Sequence, residues 1–447
     1  MIELSSLHLF ESTDSVAWVG SGGKTSLMFA VARKLFSDQC LLTTTTKMAT
    51  SEIELADHHL KTDHIETVDL LSLTGLNLVY SSISPVDNRK IVGFEPDDLE
   101  SILIKASKLS IPVMIEADGS RRKPCKFPSV SEPVLPDKVS KMCVVIGLSC
   151  LNKPLDEEYF FRVDEISKIV NISPGDIFTI EHLKQLLNHP QGFLNKGDAK
   201  TRKILILNQA DMFNHREQIN SLALSLKPFY ENILLTEISQ TTGQMIIHAH
   251  WGRLACIILA AGGSDRFGSP KQLAFFQGKT FVEKIIETSN NTFFEKRLLV
   301  LGANHKLILE KIQTGTQMIV INDNWMDGQA ISVVKSIRTI QEDNIDAVVF
   351  LLVDQPQIDI LLINEIIHYF AYHKTDIILH RYEGQNRHPV LFSAKTFPFL
   401  MELKGDQGGK QIFHLFEPAY IEIVDKFQAM DVDSPTDYEK LLTFKQD

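Results

Sequence analysis

The chain is poor in cysteine, with only Cys40, Cys125, Cys143, Cys150 and Cys256 among its 447 residues. Their irregular spacing, without a CxxC pair, excludes a disulfide framework and fits a reducing cytoplasm. No apolar run approaches the roughly 18 to 20 residues needed to cross a bilayer. Met1-Ile-Glu-Leu-Ser-Ser-Leu-His8 lacks the basic segment leading into an apolar stretch that marks a secretory leader. A soluble cytoplasmic protein with no membrane partner is therefore expected. A basic face is missing too: the net charge is −11, and Lys and Arg are scattered, so a nucleic-acid partner is not expected. A small anionic ligand remains compatible with a locally positive site.

What the chain has is an ordinary globular composition, 44% apolar and 23% charged. At roughly 100 to 200 residues per domain, its length predicts two or three domains. Short apolar runs break abruptly into glycines and then into helix-compatible stretches at Val16 to Thr25 and at Cys256 to Lys271. Strand-like runs recur after the first break at Leu41 to Thr45, Leu76 to Tyr80, Val113 to Ala117, Met142 to Ile146 and Ile204 to Leu207. Helical periodicity is read over Thr25 to Phe36, Leu99 to Lys108 and Glu157 to Val170. After the second break, strands are read at Cys256 to Leu259, Leu298 to Leu301, Met318 to Ile321, Ala347 to Leu352 and Asp376 to Leu379. Alternating strands and helices predict an α/β protein of two domains, 1–250 and 254–447, each a mainly parallel sheet flanked by helices. The boundary is placed near His248 to Arg253, with no low-complexity linker.

In the first half, Val19-Gly-Ser-Gly-Gly-Lys-Thr-Ser26 puts Gly20, Gly22, Gly23, Lys24 and Thr25 at a strand-to-helix turn, where bare backbone N–H groups can hold phosphate oxygens. Lys24 would reach the terminal phosphates and Thr25 a Mg²⁺ ion. Trp18 stands where the full GxxxxGK[ST] pattern has its first glycine. A P-loop also needs an acid at a neighbouring strand end; Val113-Met-Ile-Glu-Ala-Asp-Gly119 supplies Glu116 and Asp118, unless these are merely solvated. Asn208 and Asp211 in Leu205-Ile-Leu-Asn-Gln-Ala-Asp211 match the NKxD of guanine-reading GTPases, but Gln209 replaces its lysine, which leaves ATP or GTP open. Thr43 to Thr46 read more readily as β-branched strand residues than as metal-contacting hydroxyls.

Together with Leu42-Thr-Thr-Thr-Thr-Lys-Met48, Glu116-Ala-Asp-Gly-Ser-Arg-Arg-Lys-Pro124 and Glu132-Pro-Val-Leu-Pro136, the first loop resembles the accessory P-loop proteins associated with selenium-dependent molybdenum hydroxylases. The similarity covers roughly the first 250 residues. It implies a P-loop NTPase-like fold and a role in hydroxylase maturation, with a molybdenum hydroxylase apoenzyme as partner, more than it implies a particular reaction.

In the second half, Leu259, Ala260, Ala261, Gly262 and Gly263 form a small-residue turn that a ligand can approach closely, followed by Arg266 and Lys271 as cations for a triphosphate. Attack on an α-phosphorus also needs carboxylates for Mg²⁺. Phe350-Leu-Leu-Val-Asp-Gln-Pro356 ends a strand at Asp354, where ligands of open α/β sheets bind. Asp433, in Met430-Asp-Val-Asp-Ser-Pro-Thr-Asp-Tyr438, precedes a helix start with Ser434 as cap and Pro435 first, and is either the second metal ligand or an acid favoured by the helix dipole.

This half resembles the molybdenum cofactor cytidylyltransferases, a branch of the nucleotidyltransferase superfamily with a Rossmann-like, GT-A-like fold. The matching residues include Asn324-Trp-Met-Asp-Gly328 with Ser332, Asp354-Gln-Pro, Arg387-His-Pro-Val-Leu-Phe392, Gly405-Asp-Gln-Gly408 and Asp431-Val-Asp-Ser-Pro-Thr-Asp-Tyr438. Gln329 stands where methionine is common, Arg387 where glycine usually precedes the HP pair, and Ser434 for threonine. The resemblance implies transfer of CMP from CTP to Mo-molybdopterin with Mg²⁺. Ser332 would then serve the nucleotide, and His388 and Asp406 the pterin side, although His388 reads equally as a satisfied loop histidine. Leu-Ala-Ala-Gly, against the Leu-Ala-Gly-Gly of related guanylyltransferases, points to CTP over GTP. Alternatives left open are a GTP or sugar-phosphate nucleotidyltransferase, and a GTPase-like cofactor-delivery protein.

Overall fold

The apolar runs become the central strands of two sheets in the computed structural model, which describes residues 2–444. The chain divides into two units, Met1–Trp251 and Gly252–Asp447. Each is a parallel-dominated sheet flanked by helices.

The first unit holds β1 (Ser15–Gly20), β2 (Gln39–Thr44), β3 (His58–Lys61), β4 (Gly75–Tyr80), β5 (Val113–Glu116), β6 (Lys141–Gly147), β7 (Arg202–Asn208), β8 (Asn232–Ile238) and β9 (Met245–Trp251). Its spatial order is β9-β8-β7-β6-β1-β5-β2-β4-β3. All neighbours run parallel except β9, which is antiparallel to β8. Every residue of β1 and β6 is buried, as expected for inner parallel strands covered on both faces. Helix α1 (Lys24–Leu35) lays Leu27, Met28 and Val31 against Trp18 and Ile206 in one core. Helix α2 (Pro96–Lys108) begins on Pro96, with Asp97 and Asp98 in its first turn and Lys105 and Lys108 in its last, an arrangement matched to the helix dipole. Helix α3 (Arg216–Leu226) follows β7.

The helix expected over Glu157 to Val170 is shorter, Val163–Val170. Phe160–Phe161 instead pairs with Cys125–Lys126, and the Phe160 ring packs 4.7 Å from Phe178. Burying that aromatic outweighs one more helical turn. Arg162, at φ 71°, makes the corner between strand and helix.

The second unit holds β10 (Leu254–Ala260), β11 (Lys296–Leu301), β12 (Met318–Ile321), β13 (Ala347–Leu352), β14 (Ile377–Tyr382), β15 (Gln385–Ser393) and β16 (Ala419–Glu422), in the order β12-β11-β10-β13-β15-β14-β16. Only β15 is antiparallel to its neighbours. Glu383 and Gly384, both with positive φ, make the two-residue turn that reverses β14 into β15. Helices α4 (Phe281–Asn290), α5 (Gln329–Ile340), α6 (Ile360–His373) and α7 (Pro435–Thr443) flank the sheet. Thr280 with Glu283 and Ser434 with Asp437 form capping boxes that start α4 and α7.

Parallel register places the chemistry. Trp18 and Thr44 both stand opposite Glu116, and Leu259 stands opposite Leu352. Each glycine loop therefore leaves the sheet at the same edge as an acidic strand end. We propose the unit boundary at Trp251/Gly252 as a folding boundary. Residues 252–447 expressed alone are expected to unfold in a single transition by calorimetry. A fragment with no cooperative transition would overturn it.

Candidate functional site

Lys24 lies at the first residue of α1, 3% exposed, with its ammonium 2.6 Å from Asp118 Oδ1 and 3.6 Å from Glu116 Oε1. Burial works against its charge, but Asp118 and Glu116 outweigh it and hold the pKa above the usual lysine value. Thr25 Oγ1 donates to Glu116 Oε2 at 2.6 Å. Asp118 also takes the Gly20 N–H at 2.8 Å and the Lys126 ammonium at 2.9 Å. Lys126 continues to Glu132 at 2.9 Å, and Glu132 to Arg162 at 2.8 Å. A fully desolvated lysine is tolerated because an acid stands on each side of it.

The loop itself is partly spoken for. Ser21 N–H donates to Val145 O at 2.8 Å and Gly22 N–H to Lys123 O at 3.1 Å. Gly22 has φ +79°, and a Cβ there would fall 2.2 Å from Gly147 N, so only glycine fits. Asn208, which sequence reading set beside a nucleotide base, instead donates from Nδ2 to Gly22 O at 2.7 Å and accepts from Thr236 Oγ1 at 3.0 Å. It braces the loop. Asp211 is exposed and, among the described residues, takes no part in that bracing. The hydroxyls of Thr43, Thr44 and Thr45 donate to Val79 O, Glu116 O and Val134 O, so they hold strands together. Glu52, to which sequence reading gave no role, has its carboxyl pushed up to about 7 by burial and by the neighbouring Glu116 charge.

In the second unit, the loop after β10 is fixed by Gln272, 1% exposed, whose Nε2 donates to Ala260 O and Gly262 O, each at 2.9 Å. Ser264 Oγ accepts the Lys271 N–H at 3.1 Å. The amides of Gly262 through Arg266 find no protein acceptor among the described residues, in contrast to those of the first loop. Lys271 Nζ stands 2.9 Å from Asp354 Oδ2 and 3.0 Å from Asp433 Oδ1. Burial again opposes its charge and the two acids again prevail, raising its pKa. The Arg266 guanidinium, 82% exposed, lies 3.9 Å from Asp433. Asp354 Oδ1 is buried without a partner.

Two cavities lie along the loop and this cluster. One, of 720 Å³, has an aromatic floor of Phe350, Phe392 and Phe413, with Leu259, Asp354, Asp433, His388 and Asp406 on its walls. The other, of 490 Å³, lies beside Gly263, Asp265, Gly302, Asn304, Asp323 and Trp325. Ser332 joins neither. It is 3% exposed on α5, and its hydroxyl accepts from Asn322 Nδ2 at 3.0 Å, so it supports the fold under the site. Gln355, also without an assigned role from sequence, is 1% exposed on the larger cavity; its Nε2 donates to Asp431 Oδ1 at 2.5 Å while its Oε1 has no partner. An unsatisfied buried oxygen costs about 1–3 kcal/mol. Asp431 is itself held above the usual carboxylate range, first by desolvation and then by repulsion from Asp354 and Asp433.

Burial, with Lys410, His380 and Arg387 nearby, pushes His388 down to about 3. The ring is therefore neutral at physiological pH and can offer one donor and one acceptor. Its unfolded value near 6.5 lies above the folded one, so its contribution to stability is complete above about pH 6.5 and is lost as pH falls from there towards 3. An NMR titration should show the His388 ring unchanged between about pH 5 and 8. An inflection near 6.5 would contradict the neutral assignment.

Comparison with known proteins matches the two units separately. Residues 16–164 match the YqeC protein family, and residues 256–421 match the MobA-like NTP transferase domain. The first half is similar to the uncharacterized protein YqeC of Escherichia coli (strain K12), 29% identical over 205 residues, covering 43% of this chain and 75% of that protein. The second is similar to the purine catabolism protein PucB of Bacillus subtilis (strain 168), 26% identical over 194 residues, covering 41% of this chain and 93% of that protein. A probable molybdenum cofactor guanylyltransferase of Bacillus cereus (strain AH187) is 41% identical over 71 residues, 16% of this chain and 34% of that protein. The chain thus joins a YqeC domain to a MobA-like NTP transferase domain.

Proposed function

We propose that the second unit transfers CMP from CTP to the terminal phosphate of Mo-molybdopterin, giving molybdopterin cytosine dinucleotide and pyrophosphate. The observation that carries this is Lys271 set between Asp354 and Asp433 beneath a loop with open amides, next to a cavity with an aromatic floor. The open N–H groups from Gly262 to Arg266 receive the phosphates, and Arg266 and Lys271 neutralise charge on the departing pyrophosphate. Asp354 and Asp433 offer only oxygen donors, one of them buried and unpartnered, which suits Mg²⁺. No group of three or more His, Cys, Asp or Glu among the described residues is arranged to hold a metal alone. The remaining positions fall to phosphate oxygens and water, as Mg²⁺ prefers. When bound, the ion supplies charge stabilisation on the reacting phosphates.

The acceptor ring lies on the aromatic floor beside neutral His388 and Asp406, with its phosphate towards the two carboxylates. The base occupies the smaller cavity. Support for a pyrimidine is the sequence Leu259-Ala-Ala-Gly262, which resembles the cytidylyltransferases where related guanylyltransferases have Leu-Ala-Gly-Gly. The similarity to a guanylyltransferase favours GTP as the second reading. The first unit is assigned phosphate binding at Gly20 to Thr25, with ATP or GTP as the ligand, in service of a molybdenum hydroxylase apoenzyme.

The test supplies Mg²⁺, molybdenum-loaded molybdopterin and each nucleoside triphosphate in turn, and measures pyrophosphate and dinucleotide. CTP-dependent product is expected; GTP-dependent product would reverse the base assignment, and no product with any base would sink the reading. Lys271→Ala and Asp354→Ala are each expected to slow turnover about 100-fold or more, and near-normal rates would remove them from the mechanism. In the first unit, Lys24→Ala should abolish nucleotide binding measured by equilibrium dialysis, and retained binding would refute the P-loop assignment.

A further inference from the structure

The larger cavity of the second unit presents an electrostatic difficulty to an anionic acceptor. Asp354, Asp431 and Asp433 all stand on its wall. Lys271 is held by two of them, and Arg266 faces Asp433. Any negative group of an acceptor that Mg²⁺ at Asp354 and Asp433 does not receive meets that carboxylate cluster unless another cation takes it.

Two cations line the wall, Arg387 and Lys410. Arg387 is already committed: Nε donates to Ala429 O at 2.8 Å, Nη1 to Asn386 O at 3.0 Å and Nη2 to Gln385 Oε1 at 2.8 Å. Its guanidinium is locked to the ends of the strand and loop that carry it. Lys410 is different. It belongs to the turn Gly408–Ile412, is exposed, and among the described residues its ammonium has no hydrogen-bond acceptor and no carboxylate partner, Asp406 included. Gly409 holds the preceding backbone close to the cavity floor, since a Cβ there would lie 2.4 Å from the Phe392 ring. The turn is thus seated on the aromatic floor with its lysine at the rim. Lys410 also lies near enough to His388 to oppose protonation of that ring.

We propose that Lys410 is the specificity-determining cation for the acceptor, pairing its ammonium with an anionic group that the acceptor brings into the cavity. This rests on the nucleotidyl-transfer reading above. The anion is either the acceptor's phosphate monoester or a second negative centre on its ring system, such as a thiolate. Beyond the reach of Mg²⁺ at Asp354 and Asp433, either needs a free cation, and Lys410 is the one on the cavity wall with no protein acceptor among the described residues. Because a lysine ammonium is a mobile point charge, it can follow either group.

The test uses the full chain with Mg²⁺ and CTP, comparing the wild type with Lys410→Ala and Lys410→Arg. KM for molybdenum-loaded molybdopterin is expected to rise about tenfold in Lys410→Ala and to return to within about threefold of wild type in Lys410→Arg, with KM for CTP shifted by less than about twofold. Added KCl should raise the acceptor KM of the wild type more steeply than that of Lys410→Ala, since one ion pair is missing from the latter. A purely structural turn residue would not produce that difference in salt response. An acceptor KM unchanged in Lys410→Ala, or equal increases in the KM of both substrates, would overturn the proposal.

Direct binding separates this from the reaction itself. If the wild type forms no dinucleotide with any triphosphate, the transferase reading fails, and equilibrium dialysis of molybdenum-loaded molybdopterin then decides Lys410: weaker binding to Lys410→Ala supports it, and equal binding or none to either protein overturns it. Dephosphorylated acceptor identifies the anion. A wild-type preference over Lys410→Ala that disappears assigns the phosphate, and one that persists assigns the second negative centre.

Discussion

A lysine held between two carboxylates organises each unit. Lys24 sits between Glu116 and Asp118, and Lys271 between Asp354 and Asp433. In both, the lysine comes from a glycine loop at a strand's C-terminal end, and at least one acid comes from the end of the adjacent parallel strand. Parallel pairing without slippage is what makes this possible, because a one-residue shift would turn Glu116 to the opposite face of the sheet. The buried ammonium in turn requires the acids: removing one partner from a desolvated pair costs about 3–5 kcal/mol. Sheet register and site charge are therefore one constraint.

The two loops nevertheless stand in different states. In the first, Gly20, Ser21 and Gly22 donate their amides to Asp118, Val145 and Lys123, and Asn208 and Lys126 tie the surroundings together. In the second, the amides from Gly262 to Arg266 are open, while Gln272 holds the loop from behind through the carbonyls of Ala260 and Gly262 and the Ser264 hydroxyl, leaving those amides free. A loop braced through its carbonyls keeps its donors for a ligand. A loop braced through its donors has fewer to offer, and the donors it leaves open are the amides at the start of α1.

The residues on strand ends and glycine turns were legible in the sequence because their placement follows from short-range rules. An apolar run that stops at glycines or at Asp354 must stop at a sheet edge. The two-domain α/β organisation followed from the same punctuation. The bracing was not legible. Gln272 holding Ala260 and Gly262, Asn322 meeting Ser332, and Lys126 linking Asp118 to Glu132 are side-chain contacts made across the fold, with no fixed spacing in the chain. Ser332 and Asn208 are instructive because both sit where sequence motifs place ligand contacts, and both have hydroxyl or amide groups engaged by protein. The helix read from Glu157 failed for another reason: periodicity registered the apolar residues but not that Phe160 is buried against Phe178 from a strand.

His388 shows how the aromatic cavity and the acidic cluster impose different electrostatics on one site. Over Asp431, the nearby carboxylates favour the protonated, neutral acid. Around His388, burial and the cations Lys410 and Arg387 favour the unprotonated, neutral imidazole. Desolvation and the neighbouring acids raise Asp431 while burial and the cations lower His388, and Arg387 acts on each, favouring the charged form of the acid and the neutral form of the imidazole. His388 thus stands uncharged on the wall beside the aromatic floor, where it can donate and accept hydrogen bonds, while Arg387 and Lys410 on the same wall keep their charge. A flat heterocycle can lie against the neutral His388 ring without the desolvation cost that an imidazolium would impose.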